Sequence, residues 1–295
     1  MIRKNGAVPD NFFELRELDS IQAYAMAYGD LIAKRYEDLN IVCFPRFPLD
    51  IDVDFFRAVQ VPAQFKKVGT VNGLDRPILI RSGDKIMFDH THVLLQIFGD
   101  RMIATYAQTQ IRSVNDQIRR GLNQLFPRYR SLTEANITWR LTETVDEGMH
   151  VDGFLKGKPT PPEAKGRFHR VKLFINIDSQ PRKWWTSFTM GETLKRYRSK
   201  LPDSMPDDAD IVANVISNSG FLGDGEPHHE IDIPPMGAVM GEAQAISHAV
   251  RYGRRMIAAE FMCLTEHMLD PCKHTQARLP GWLGDAGIGI SEAVA

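Results

Sequence analysis

Near residue 136 the hydrophobic pattern changes from helical spacing to strict alternation, and that switch restricts the chain to helices packed on a sheet. Before it, Asp19-Ser20 predicts an N-cap for a helix carrying Ile21, Tyr24, Tyr28, Leu31 and Ile32. Met102, Ile103, Tyr106, Ile111, Val114, Ile118, Leu122 and Leu125 also recur at helical spacing, as two helices or one broken one. Apolar runs at 41–44 and 78–80 predict short strands. After the switch, residues 137–145 alternate, and 171–177, 238–240 and 255–264 predict three further strands, the middle one following the turn Pro235-Met236-Gly237. Residues 184–201 read as an insert containing a helix, 202–210 as a Pro/Asp-rich loop, and the Gly-rich stretch after Pro280 as a loose tail. No linker separates the halves. The expected fold is α+β, one domain over 1–295: a mainly helical part (1–135) packed on a β-sandwich core (136–270), then a C-terminal tail (271–295).

Composition narrows the function classes. With 36 Lys+Arg against 37 Asp+Glu, the formal charge is −1, which argues against a nucleic-acid partner, because phosphate binding needs a basic face. No apolar run is long enough for a transmembrane helix, and no apolar stretch follows the basic start to make a signal peptide. Three cysteines cannot build a disulfide framework, so the expected compartment is the cytoplasm.

The most informative segment is Gly148-Met149-His150-Val151-Asp152. At a strand end, residues i and i+2 share a face, so His150 and Asp152 project to the same side. With nine His and 23 Asp in 295 residues, a His-x-Asp arises by chance about as often as not. Context raises it: the motif follows a predicted strand, and His248 sits at the start of another strand, after Pro234-Pro235-Met236-Gly237 and before Gly253. Two His and one carboxylate make the facial triad of non-haem Fe(II) oxygenases, which leaves coordination positions open. In a double-stranded β-helix (a jelly roll, cupin-like), such ligands come from distant strands that meet at one barrel mouth. The competing reading is two unrelated surface histidines. His228-His229-Glu230 reads as a flexible loop, and His90 and His92 beside Asp89 as solvated or hydrogen-bonded. Cys263, His267, Cys272 and His274 form a compact Cys/His group in sequence that could hold a structural zinc, but their spacing is not that of a standard finger, and a buried strand position is the stronger reading for Cys263.

These residues carry a resemblance. His150-x-Asp152 with His248 resembles the Fe(II)/2-oxoglutarate-dependent dioxygenase superfamily, and residues 137–264 are similar to the Kdo hydroxylases, which oxidise a Kdo sugar on lipid A precursors. The matching stretches are Phe174-Ile175-Asn176-Ile177-Asp178, Pro181-Arg182-Lys183-Trp184, Gly191-Glu192, Asp232-Ile233-Pro234-Pro235-Met236-Gly237 and His248-Ala249-x-x-x-Gly253, running into Phe261. Residues 185–190 look inserted relative to that pattern. The resemblance implies Fe(II) on His150, Asp152 and His248, with 2-oxoglutarate and O₂ as co-substrates. It also implies hydroxylation of an unactivated C–H in an acidic small metabolite, best matched by a Kdo-type sugar acid.

The distal carboxylate of 2-oxoglutarate needs a cation. Many superfamily members place an Arg about ten residues after the distal His; here that position is Ala258. Lys172, on the strand after His-x-Asp, and Arg254, which shares strand parity with 258, are the expected substitutes, each with a surface ion pair as its bland reading. Arg255 would point the opposite way, and Arg251 would lie on the preceding turn. For the substrate, Arg140 beside Trp139 and the basic-aromatic cluster Arg182, Trp184 and Trp185 suit an acidic group through charge and stacking, against the reading of a lid packed on the sandwich. Arg167, His169 and Arg170 read as a solvated loop, and 155–166 as a mobile loop over the site mouth. A lipid-linked substrate would call for a basic or amphipathic surface for peripheral membrane contact, which the near-zero charge does not supply. Alternatives are a hydroxylase, desaturase or cyclase of a free or carrier-bound amino acid in natural-product biosynthesis, a non-catalytic cupin-like binding module, or a structural protein with incidental histidines.

Overall fold

The structure, a computed structural model, describes residues 2–62, 68–71, 79–82, 85–88, 90–130, 132–153, 160–223 and 225–291, with side chains described outside 63–93. Strands β1 (Ile2–Arg3) and β2 (Phe12–Glu14) are followed by helices α1 (Ile21–Tyr28) and α2 (Leu31–Glu37) and then by strand β3 (Ile41–Phe44). Strand β4 (Val68–Val71) precedes the long helix α3 (Arg101–Leu125). Eight strands of the two large sheets follow: β5 (Thr133–Arg140), β6 (Thr144–Val145), β7 (Phe168–Asn176), β8 (Arg182–Thr189), β9 (His229–Ile233), β10 (Ala238–Met240), β11 (Ile246–Gly253) and β12 (Met256–Leu264). Helices α4 (Met190–Arg196) and α5 (Ala209–Asn218) lie between β8 and β9, and α6 (Thr275–Asp285) follows β12.

The strands form a seven-stranded sheet, β2-β3-β10-β7-β12-β5-β4, and a five-stranded sheet, β1-β9-β8-β11-β6. From β5 to β8 the chain alternates between the sheets, β9 stays beside β8, and β10 to β12 alternate again. That is the winding of a double-stranded β-helix. Trp184, Ile231, Ile233, Ile246 and Val250 of the smaller sheet pack with Ile41, Val239 and Phe174 of the larger one, so the two sheets face each other across a shared apolar layer. The outer face of the larger sheet (Ile137, Trp139, Val171, Leu173, Ile175, Ile257, Ala259, Phe261) packs on α1, α2 and α3. The α+β class and the helical cover over a jelly roll are thus observed.

Several local expectations change. The pattern at 101–125 is one unbroken helix, capped by Asp100, whose carboxylate accepts from the Ile103 N–H at 2.9 Å. The expected insert at 184–189 is the central strand β8, buried on both faces except at Lys183 and two half-buried positions. Only Met190 onward is helical, opened by a Thr189/Glu192 capping box. Within 202–210, Ser204–Pro206 is a strand that pairs in parallel with Gly289–Ser291. The expected loose tail is therefore anchored, and Leu279 and Leu283 of α6 are fully buried against α4 and α5. The first part also supplies four short strands to the two sheets. Ile41–Phe44 is one of them, as its apolar run predicts; the other three, at two to four residues, are too short to show an alternating pattern. Of the predicted strand at 78–80, residue 78 lies outside the described residues; Leu79–Ser82 is a strand.

One polar contact ties the helical layer to the sheet. The Trp139 indole N–H donates to Asn115 Oδ1 of α3 at 3.0 Å, with both residues fully buried. Asn115→Ala leaves that donor unsatisfied and should cost about 1–3 kcal/mol in urea unfolding; an unchanged midpoint would contradict the role given to this contact.

Candidate metal centre

His150 and His248 face each other as a hydrogen-bonded antiparallel pair. The His150 N–H donates to the His248 carbonyl at 2.9 Å, and the His248 N–H to the His150 carbonyl at 2.8 Å. Directly opposed residues project to the same side of a sheet, so the two imidazoles stand side by side with ring centroids 4.6 Å apart. Val151 turns the other way, into the apolar cluster against α5, where Ser217 Oγ takes its N–H at 3.1 Å and donates to its carbonyl at 2.7 Å. Pinning Val151 outward aims both neighbours inward, and the Asp152 N–H donates to the Ala243 carbonyl at 2.8 Å. One ligand atom from each of His150, Asp152 and His248 falls within 4.8 Å of the others. Among the described residues this is the one group of three or more such side chains.

The hydrogen bonds select the right nitrogens. His150 Nδ1–H donates to the Gly148 carbonyl at 2.7 Å, and His248 Nδ1–H to the Ile246 carbonyl at 3.0 Å. Both Nε2 lone pairs are left facing the centre, the tautomer that metal-binding histidines use. Lys172 Nζ bonds Asp152 Oδ2, while Oδ1 lies 3.7 Å from His150 Nε2. Burial would raise the Asp152 carboxyl, but the Lys172 ammonium and the two imidazoles outweigh it and hold it below the usual carboxylate range. Burial, reinforced by His150, lowers His248 to about 4. Carboxylate ionised and imidazole neutral is the state a divalent cation requires. Two N and one O donor with open positions fit Fe(II).

Trp184 stacks on His248, with ring centroids 5.7 Å apart and 27° between planes, and packs edge-on against Phe174. It braces a candidate ligand inside the barrel. The expected Arg182/Trp184/Trp185 cluster is split by the strand: Arg182 and Trp184 point inward, and Trp185 lies outside, stacked on His228 and under the Arg251 guanidinium. Arg140 faces inward and bonds both Glu147 oxygens through Nη1 at 3.3 Å.

The two expected anchors for 2-oxoglutarate go elsewhere. Lys172 holds Asp152. Arg254 donates through Nε and Nη2 to both oxygens of Asp178, at 2.9 and 3.0 Å. Parity between 254 and 258 fails because β11 ends at Gly253 and β12 begins at Met256, so Arg254 sits on the turn between two sheets, six residues from His248. A cavity of about 880 Å³ there is lined by Arg57, Asp178, Arg254 and Arg255 and by none of the three clustered residues.

Other expectations also shift. His229 is a buried strand residue that accepts from the Asn5 N–H, not part of a flexible loop. His169 is buried on β7, and Arg170, on the same strand, pairs with Glu260. His90 lies on the helix His90–Phe98, and His92 with it; the side chains of both are outside the described ones. Cys263 is buried in the core and Cys272 exposed, while His274 caps α6 and His267 donates to the Arg130 carbonyl, so the four residues form no cluster. Of the expected lid, 155–159 lie outside the described residues, and 160–166 form a turn tied down by Thr160 on Asp208 and Lys165 on Asp207. Sequence reasoning missed Glu147 and the packing role of Gly253; only the three-residue spacing of Glu147 from His150 could have flagged the former.

No family model matches the sequence, and no curated protein matches it. Solved structures do. The Kdo hydroxylase KdoO, described as a non-heme Fe(II) alphaketoglutarate dependent dioxygenase, superposes with a TM-score of 0.69 at 18% identity in its complex with succinate and Fe(III), covering 93% of this chain and 96% of that one. Its complex with alphaketoglutarate and Fe(III) gives 0.69 at 17% identity over 95% and 97%, and its cobalt(II) complex 0.69 at 16% over 97% and 99%. The chain therefore shares the fold of these oxygenases over nearly its whole length.

Two outcomes follow from the geometry. Lys172→Met should weaken Co(II) or Fe(II) binding about 10–100-fold, as loss of a ligand-orienting partner does; unchanged metal affinity with weakened 2-oxoglutarate binding would return Lys172 to the anchor role. The pH dependence has a defined sign. Below its unfolded pKa, near 6.5, His248 is protonated in the unfolded chain but not in the fold until about 4. His169, lowered by burial to about 3, behaves alike. Metal-free stability should therefore fall as pH drops from about 6.5 toward 4, by about 1.4 kcal/mol per unit for each histidine. A flat urea midpoint between pH 7 and 5 would contradict this.

Proposed function

We propose that the chain is an Fe(II)/2-oxoglutarate-dependent oxygenase that hydroxylates a C–H of an acidic small metabolite, a Kdo-type sugar acid, in the cytoplasm. The observation that carries the reading is the convergence of His150 Nε2, His248 Nε2 and the Asp152 carboxylate at one barrel mouth. His150, Asp152 and His248 would hold the iron. With 2-oxoglutarate and O₂ bound there, the iron would supply the oxidant for replacing hydrogen by hydroxyl, with 2-oxoglutarate going to succinate and CO₂.

The protein's own part is orientation and charge. Gly148 and Ile246 carbonyls fix the imidazole tautomers, Lys172 turns one Asp152 oxygen toward the histidines, and Trp184 keeps the His248 ring from rotating. The inward faces of β5, β7 and β8 carry Arg140, Arg170, Lys172 and Arg182. Three of them are met by Glu147, Glu260 and Asp152, and the remaining cation, Arg182, supports an acidic substrate. The free cysteines support the cytoplasm, and no described helix is long and apolar enough to cross a membrane.

The test is anaerobic addition of Fe(II) and 2-oxoglutarate, then O₂ with Kdo or a Kdo-terminated lipid A precursor. A visible charge-transfer band, succinate, and a product heavier by one oxygen are expected, all lost in Asp152→Ala and His248→Ala. Neither band nor succinate in the wild type would overturn the oxygenase reading. Succinate coupled instead to an amino acid would overturn the sugar-acid substrate.

A further inference from the structure

The pairing of β7 with β10 stops where a side chain enters the sheet. Ala238, Val239 and Met240 face Ile175, Phe174 and Leu173 in antiparallel register, and the register ends there. Just before it begins, the Asn176 N–H donates to the Gly237 carbonyl at 2.9 Å. Hydrogen-bonded pairs recur at every second residue of such a ladder, so Lys172 and Gly241 would be the next pair after Phe174 and Val239. The Tyr36 hydroxyl, from α2, stands between them instead. It accepts the Lys172 N–H at 3.1 Å, and its single hydrogen faces the Arg170 carbonyl at 2.9 Å and the Gly241 carbonyl at 3.2 Å. A direct N–H···O bond spans about 2.9 Å. With the hydroxyl inserted, the Lys172 N–H and the Gly241 carbonyl are joined through two bonds in series, so the strands are held apart at this point.

Tyr36 is fixed in that position. It is fully buried, with its ring edge-on against Phe126 and His169 at centroid distances of 6.0 and 5.7 Å. Burial raises the phenol well above its usual range, so the hydroxyl keeps its proton and remains a donor.

Two supports of Asp152 leave from the gap that Tyr36 holds open. On β7, the residue whose N–H meets the hydroxyl is Lys172, and its ammonium bonds Asp152. On the other side, the chain leaves β10 at Gly241 and crosses to the smaller sheet. During that crossing the Ala243 carbonyl accepts the Asp152 N–H at 2.8 Å, and β11 then carries His248. The spacing of the two supports therefore depends on the width of the gap. Without the hydroxyl, the Lys172 N–H and the Gly241 carbonyl would either close on each other or lose a buried partner, and both outcomes move Asp152.

We propose that Tyr36 is a positioning residue for the metal centre: its hydroxyl wedges β7 from β10 and so sets where Lys172 and Ala243 hold Asp152. This rests on the reading of His150, Asp152 and His248 as metal ligands. Tyr129 is the natural contrast. It is buried beside the same Phe126 and His169, but its hydroxyl donates to Glu37 at 2.7 Å instead of entering the sheet.

The experiment compares Tyr36→Phe with Tyr129→Phe, each of which deletes one buried hydroxyl from the same core. Co(II) binding is followed by calorimetry and by the visible absorption of the bound ion, which reports ligand geometry, and thermal midpoints are taken on metal-free protein. Both variants should lower the midpoint. Tyr36→Phe should in addition weaken Co(II) binding about 10-fold, the lower end for loss of a group that orients a ligand, and shift the absorption. Tyr129→Phe should bind Co(II) as wild type does, with the same spectrum. Wild-type affinity and spectrum in Tyr36→Phe, or an equal loss in Tyr129→Phe, would overturn the inference and leave the metal centre standing. If Tyr36→Phe does not fold, 3-fluorotyrosine in place of Tyr36 keeps the ring and hydroxyl while altering its hydrogen bonds. A shifted Co(II) absorption then supports the positioning role, and an unmoved one overturns it. A wild type that binds no Co(II) overturns the metal centre and the inference together.

Discussion

The two backbone hydrogen bonds between His150 and His248 are the contact on which the rest of the site depends. They join a segment following β6 to the start of β11, 98 residues on in sequence, and set the register of both. Side chains alternate along a strand, so a slip of one residue would turn His150 and Asp152 outward and Val151 into the centre. The surroundings oppose that slip: Ser217 of α5 holds both polar groups of Val151, Ala243 holds the Asp152 N–H, and Thr186 sits opposite His248. Helices α4, α5 and α6, far from a generic jelly roll in their details, thus bear on the chemistry by gripping the back of the ligand segment.

A second constraint is electrostatic. The barrel interior is asymmetric: one side is the apolar layer around Trp184, Ile231, Val239 and Phe174, and the other carries charges from β5, β7 and β12. On the charged side nearly every group is assigned. Arg170 meets Glu260, Lys172 meets Asp152, and Arg140 meets Glu147. Arg182 is the exception, and its position next to Trp184 connects the unpaired cation to the candidate metal ligands. Keeping an uncompensated charge in a closed interior lowers stability.

The sequence made the triad legible because its logic is local. Two residues apart on a strand end means one face, and a histidine at a distant strand start completes the set. The resemblance carried the fold in the same way. What failed were inferences that ran parity through an unseen turn or read composition as order. Arg254 was linked to 258 across a boundary where one sheet ends and the other begins. Residues 184–189 run Trp-Trp-Thr-Ser-Phe-Thr, without the apolar–polar alternation that would have marked a strand. The Gly- and Pro-rich end reads as loose, yet Leu279 and Leu283 give it a face to bury. Pairings such as Lys172 with Asp152 or Arg140 with Glu147 join residues 20 and 7 apart along the chain, and only the folded barrel selects them from the many charges available.

The central claim is that His150, Asp152 and His248 share one metal ion through both Nε2 atoms and one Asp152 oxygen. Anomalous diffraction at the iron edge from crystals grown anaerobically with Fe(II) tests it directly. The account predicts a single strong peak bonded to these three side chains, absent in crystals of Asp152→Ala. A peak held by other residues, or none at this site under saturating iron, would contradict it.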